Sequence, residues 1–224
     1  MPELNKAQQP FTFFTRLHLS ELTGLKAHTL EELIGLIKTV SGSCIYHHTH
    51  RILQQHLYLS PEPPNDFAYW VSEILGEDEL GERLASIDII QFSDIRSLRD
   101  TIINIIELYM KENPSSRLKF SSPEKEFYFI KSVSFILATK HVANDLSEFV
   151  EELKKVTIDS VYFHIFEAKL RLGKTTNDFS NWIETSIGDK YLADMISRID
   201  PYTHSLEDLR KLIIGFVSKR IEGL

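Results

Sequence analysis

Apolar residues recur along most of this chain at the three- and four-residue spacing of an amphipathic helix. An early stripe comprises Leu30, Leu33, Ile34 and Ile37. A helix start is indicated just before it, because Thr29 and Glu32 have the spacing of a capping box. Phe11 and Phe13 instead follow the alternation of a short strand. The pattern therefore predicts a mainly α fold with at most a minor, short-stranded β element.

The sequence also repeats itself at a shift of 116 positions. Pairs related by this shift include Phe11 and Phe127, Phe13 and Phe129, Tyr46 and Tyr162, and His48 and His164. After a deletion of four residues, Asn65-Asp66-Phe67 matches Asn177-Asp178-Phe179, and Trp70 matches Trp182. A period of this length indicates a duplicated unit rather than a solenoid. We therefore predict two duplicated helical units that pack as an intramolecular pseudo-dimer.

Turn-forming residues place the boundaries of these units. Residues 1–10 are predicted to be a disordered leader, 11–112 the first helical unit, 113–123 a linker and 124–224 the second unit. Asn113-Pro114 ends one helix, and Ser122-Pro123 has the order of residues that starts another. Each predicted unit has about a hundred residues, which is enough to bury a core.

Composition narrows the classes of function. A formal net charge of -7 over 224 residues argues against a nucleic-acid partner, since such proteins usually carry a basic face. Cys44 is the only cysteine, which fits a reducing compartment and excludes an intrachain disulfide. Residues 1–10 lack the apolar region of a signal peptide, and no run is long enough for a membrane span. We expect a cytoplasmic protein without a membrane or nucleic-acid partner, either a monomer or a homodimer.

Histidine is concentrated in the first predicted unit. Four of the nine histidines lie within ten residues, namely His47, His48, His50 and His56. The second unit carries Phe163 and Phe166 at the positions of His47 and His50. Because only the first predicted unit has this histidine-rich segment, we expect a functional site to lie in that unit.

The candidate ligand-binding residues are His47, His48, His50, Arg51, His56, Glu62 and Asp66. Three interpretations remain open for them. In one, His47 and His50 bind zinc or iron, with Glu62, Asp66 or His56 as further ligands. In another, the polar residues line a pocket for an anionic or sugar-like ligand. In the third, they form a polar network between the units that is sensitive to pH near neutrality.

Catalytic motifs are absent from the sequence. It contains no His-Glu-x-x-His motif, no G-x-S-x-G motif and no glycine-rich phosphate loop. The preferred function is therefore a non-enzymatic binding or regulatory module. Its partner, an unknown protein or small molecule, would engage the histidine-rich segment and the loop Pro61-Glu62-Pro63-Pro64. The alternative is a metal-dependent enzyme of the hydrolase type, with His47 and His50 as metal ligands.

Several segments of the first unit form a motif pattern that is typical of one protein family. They are Ser20-Glu21-Leu22-Thr23-Gly24, Ile45-Tyr46-His47-His48-Thr49-His50, Ser60-Pro61-Glu62-Pro63-Pro64-Asn65-Asp66-Phe67-Ala68-Tyr69-Trp70 and Leu80-Gly81-Glu82-Arg83-Leu84. With these segments the chain resembles a prokaryotic family catalogued only as a domain of unknown function. The resemblance covers nearly the whole chain and is most specific in the first unit. It implies no activity, substrate or catalytic residue.

Overall fold

Two long strands, each followed by a series of helices, make up the fold. The computed structural model describes residues 6–52, 54, 65–168, 170 and 176–223, apart from the side chains of Ile90 and Tyr202. The strands are β1 (Phe11–Ala27) and β2 (Phe127–Ala143). The α-helices between them are α1 (Leu30–Thr39), α2 (Gly42–Tyr46), α3 (Asp66–Tyr69), α4 (Asp78–Ala85) and α5 (Ile95–Glu112).

After β2 come α6 (Leu146–Leu153), α7 (Ile158–Phe166), α8 (Asp178–Trp182), α9 (Lys190–Ser197) and α10 (Leu206–Glu222). Turns of π-helix span His47–Arg51, Trp70–Ile74 and Ile183–Ile187. Short 3-10 segments span Ile89–Gln91, Pro114–Leu118 and Pro201–Thr203. No helix among the described residues is both long enough and apolar enough to span a bilayer.

The predicted fold class is wrong in its β content. Both strands are 17 residues long and pair antiparallel in a two-stranded sheet, so the β element is neither minor nor short-stranded. The alternation that signals a strand is present only at the start of each strand, where Phe11 and Phe13, and Phe127 and Phe129, are buried. Farther along, residues on both faces are exposed, and a strand exposed on both faces has no period-two pattern in its sequence.

Two compact units divide the chain, and each contains residues of both strands. The middle unit comprises His18–Ser134. The terminal unit comprises the segment that ends at Leu17 together with the segment that begins at Phe135. The boundary therefore falls inside β1 and inside β2, whereas the predicted units were contiguous. Each unit therefore includes strand residues from two distant parts of the chain.

Part of the predicted disordered leader makes defined contacts within the terminal unit. The Ala7 N–H donates to the carbonyl of Asn144 at 2.7 Å, and the Gln8 N–H donates to that of Ser186 at 2.8 Å. The carbonyl of Gln9 accepts a hydrogen bond from the Trp182 indole at 2.8 Å. Residues 7–9 thus belong to the folded unit, and residues 1–5 lie outside the described residues.

Each unit buries the first half of one strand against aromatic side chains of its helices. In the terminal unit Phe13 stacks on Phe149 with ring centroids 5.6 Å apart. In the middle unit Phe127 stacks on Phe67 at 5.1 Å, and Phe129 is also buried. Burying such large rings contributes favourably to the packing of both units.

Capping boxes start the first helix after each strand. The predicted box is confirmed: the Thr29 hydroxyl accepts from the Glu32 N–H at 3.2 Å, and the Glu32 carboxylate accepts from the His28 N–H at 2.7 Å. Asp145 and Glu148 form the corresponding pair of bonds before α6, each at 2.8 Å. Both helices therefore begin with two backbone N–H groups satisfied by side chains.

Candidate functional site

In the middle unit, His48 links a helix to a strand. Its Nδ1 lies 2.7 Å from Oδ2 of Asp66, at the start of α3. The backbone N–H of Ile130, in β2, donates to its Nε2 at 2.9 Å. Since Nε2 accepts a hydrogen bond, the imidazole proton is on Nδ1 and is donated to the carboxylate. His48 is buried, and its tautomer is fixed from both sides.

The terminal unit contains the same arrangement around His164. Its Nδ1 lies 2.6 Å from Oδ2 of Asp178, at the start of α8. The backbone N–H of Phe14, in β1, donates to its Nε2 at 2.9 Å. We call these two arrangements, His48 with Asp66 and His164 with Asp178, the histidine–aspartate frames.

Two of the predicted site residues, His48 and Asp66, belong to one of the frames. Both ring nitrogens of His48 are engaged by protein groups. Asp66 accepts the imidazole proton, and the neighbouring Asn65 caps α3 by accepting from the Ala68 N–H at 2.9 Å. His48 and Asp66 therefore hold the strand to its helices.

His47 and His50 face a different environment on the π-helical turn His47–Arg51. Both side chains are buried. Nδ1 of His47 lies 2.9 Å from the Ser132 hydroxyl, and Nδ1 of His50 lies 3.2 Å from the Thr49 hydroxyl. Burial lowers the pKa of His47 to about 4, and the neighbouring His48 contributes to the same shift. His47 is therefore neutral at pH 7.

Further polar groups of the middle unit surround these two histidines. Tyr46 stacks between His18 and His50, with ring centroids 5.5 and 5.4 Å away. The half-buried Arg51 donates from Nη1 to Oε1 of Gln54 at 3.0 Å. We call this set the polar cluster; its members are His18, Tyr46, His47, His50, Arg51, Gln54 and Ser132.

Sequence reasoning missed His18 and Ser132 as neighbours of the histidine-rich segment. Both lie on the strands, at least 28 residues from the groups they contact. His18 also lies 3.0 Å from the Ser134 hydroxyl through Nδ1. The one available signal was the 116-residue repeat, which pairs His18 with Ser134 and Ser132 with Arg16. That signal does not reveal which helix the strand packs against.

The equivalent positions of the terminal unit are lined by aromatic rings and one ion pair. Phe163 and Phe166 stand where the middle unit has His47 and His50, and Tyr162 stacks on Phe166 at 4.8 Å. Arg16 lies over the Phe163 ring at 5.5 Å and pairs with the buried Glu167 at 2.9 Å. The stretch through Phe166 is ordinary α-helix, without the π-helical turn of the middle unit.

The metal hypothesis names His47 and His50 with Glu62, Asp66 or His56 as further ligands. Of these further ligands, His56 and Glu62 lie outside the described residues, and Asp66 is bonded to His48. Within the part of the chain that the structure describes, no group of three or more His, Cys, Asp and Glu side chains is arranged to hold a metal ion. Cys44 is a buried free thiol whose Sγ lies 3.5 Å from the Ser41 hydroxyl. The cluster therefore offers imidazoles, hydroxyls, one amide and one guanidinium as its chemical groups.

Comparison with known proteins identifies the family. A model of the family of unknown function DUF5752 matches residues 8–218, so the chain belongs to this family, in agreement with the resemblance found in the sequence. The solved structure of OrfY from Thermoproteus tenax is similar, with a TM-score of 0.76 and 28% sequence identity. The match covers 97% of this chain and 98% of that one. No curated protein matches this chain significantly.

Proposed function

We propose that this DUF5752 protein is a non-enzymatic binding or regulatory module whose polar cluster holds a small anionic ligand. The observation that carries the proposal is the contrast between two equivalent sites. Both units build the same histidine–aspartate frame, yet beside it one unit buries His47 and His50 and the other buries Phe163 and Phe166.

The free-energy cost of burying polar groups favours a ligand-binding role for the polar cluster of the middle unit. Burying polar groups costs free energy unless every one of them is well hydrogen-bonded, whereas aromatic rings gain from burial. The terminal unit demonstrates that aromatic rings are compatible with this local fold. Imidazoles at the same positions are therefore not required by the frame, and a binding role accounts for them.

The backbone supplies a second observation. His47–Arg51 is a π-helical turn, whereas the equivalent residues up to Phe166 continue an α-helix. Single π-helical turns within helices are infrequent and occur often at functional sites. Here the turn coincides with the residues that distinguish the two units, which supports a role for them in binding.

The chemistry of the cluster favours an anion over a cation. Arg51 carries a permanent positive charge, and the pKa of His47 is lowered first by burial and then by His48 and Arg51, so the cluster disfavours an additional cation in the absence of a counter-charge. An anion in the cluster supplies that counter-charge and raises the pKa of His47. Binding of such a ligand is therefore expected to strengthen as the pH falls below neutrality.

Inorganic phosphate is the probe for the test. We expect isothermal titration calorimetry at pH 6 to show phosphate binding to the full chain, weakened at least tenfold in the double variant His47→Phe, His50→Phe. This variant installs the residues of the terminal unit, so its circular dichroism should match that of the parent. His204→Phe, which changes a histidine of the terminal unit away from the frame, is the control and should bind phosphate like the parent.

Two results would overturn the proposal. One is equal phosphate binding by the parent and the double variant, or no binding by either. The other is zinc or iron at one equivalent per chain in the purified parent that is lost from the double variant, because the cluster would then be a metal site.

A further inference from the structure

In the C-terminal half of β2, residues 135–143, exposed side chains lie on both faces of the strand. We call this part the outer half of β2. Phe135, Ile136 and Leu137 are consecutive and keep 50%, 48% and 43% of their surface in solvent. Successive residues of a strand point to opposite faces, so neither face of this stretch is covered by the terminal unit. Phe135 and Leu137 share one face, and neighbouring large apolar side chains exposed in this way are typical of an interaction surface.

The backbone of the same stretch also has an open edge. Among the described residues the sheet has two strands, so β2 has β1 as its neighbour on one side and no strand on the other. An edge of this kind presents N–H and C=O groups that can pair with another strand. Apolar side chains and an unpaired edge thus occur on one segment, which we define as the β2 edge, Ser134–Thr139.

The C-terminal half of β1, His18–Ala27, also exposes Leu19, Leu22 and Leu25, but it carries features that disfavour such pairing. Glu21 and Lys26 place charges along it, paired with Lys131 and Glu126 at 2.9 Å each. Gly24 has a positive φ of 76°, which interrupts the regular strand. Charges and local irregularities are the usual protection of edge strands. The β2 edge contains no charged residue, glycine or proline.

We propose that the β2 edge pairs antiparallel with the β2 edge of a second copy of this chain. One unprotected edge and one protected edge per chain favour a closed twofold dimer, because a second open edge would be needed to extend the assembly. Pairing centred on Leu137 sets Phe135 opposite Thr139 and Lys140 opposite Ser134. No like charges then oppose each other across the interface.

Sedimentation equilibrium of the full chain between 1 and 100 µM tests this interface. We expect a dimer for the parent protein. Leu137→Lys places two ammonium groups opposite each other at the twofold axis and should raise the dimer dissociation constant at least tenfold. The matched control is Leu19→Lys, which adds the same charge at an exposed leucine of β1 and should leave the dissociation constant within twofold of the parent value.

A monomeric parent at 100 µM would overturn the proposal, and so would equal effects of the two lysine variants. Cross-linking provides a check that does not depend on a destabilising change. Leu137→Cys in a Cys44→Ser background should form an intermolecular disulfide under mild oxidation, since paired antiparallel residues lie within disulfide distance. Leu19→Cys in the same background should remain largely monomeric on a non-reducing gel, and preferential cross-linking through it would place the interface elsewhere.

Discussion

The middle and terminal units build the same frame in different electrostatic surroundings. In both, a strand N–H donates to Nε2 of a buried histidine whose Nδ1 is bonded to an aspartate at the start of a helix. The side chain of Asp178 is 10% exposed, whereas that of Asp66 is 32% exposed. Beside the frame, the terminal unit has Phe163 and the middle unit has His47. Contacts shared by the units therefore report on the fold, and the differences between them locate the candidate site.

Removing the frame histidines should have the largest effect on the unfolding free energy, and the size of this effect should differ between the two units. His164→Ala leaves the Phe14 N–H and the buried Asp178 carboxylate without this partner, and we expect a loss of about 3–5 kcal/mol in unfolding free energy. His48→Ala should cost less, about 2–3 kcal/mol, because Asp66 is better solvated. Urea unfolding followed by circular dichroism measures both, with His28→Ala, which changes a partly exposed histidine outside the frames, as control. Equal losses would show that the exposure of the aspartate does not matter.

Acid should destabilise the middle unit through His47. This imidazole has a pKa of about 4 when folded and an ordinary value of 6.5 when unfolded. Between these values the unfolded chain binds the additional proton, so the unfolding free energy falls as the pH decreases from 6.5 to 4. The contribution amounts to roughly 3 kcal/mol and is fully present above pH 6.5.

The variant His47→Phe removes this titration and imitates Phe163. Its unfolding free energy should therefore decline less than that of the parent between pH 7 and pH 4, as measured by urea unfolding at several pH values. Parallel pH profiles for the two proteins would contradict the assignment of the low pKa to His47.

Loss of the helix caps should give the smallest effect and the same effect in both units. Thr29→Ala and Asp145→Ala each remove the side-chain oxygen that accepts a hydrogen bond from the N–H three residues later. We expect each to reduce the unfolding free energy by about 1 kcal/mol. Thermal unfolding of the two variants beside the parent provides the measurement. A difference of more than about 1 kcal/mol between them would indicate that the caps do not act equivalently.

The sequence by itself determined the local and repeated features of this protein. Capping boxes and apolar stripes act within a few residues, so Thr29, Glu32 and the helix from Leu30 were predictable from spacing. The family was identified from its motifs, and comparison of the repeat located the contrast between His47 and Phe163. These conclusions need only the identity and order of residues.

Tertiary structure decided what joins distant parts of the chain. The bond between Ile130 and His48 spans 82 residues, and that between Phe14 and His164 spans 150, so the structural role of the histidines is not visible in local spacing. The long strands were missed because their outer halves are exposed on both faces and lack alternation. Hydrogen-bonded pairing between segments more than a hundred residues apart set the unit boundaries inside the strands, where no local composition marks them.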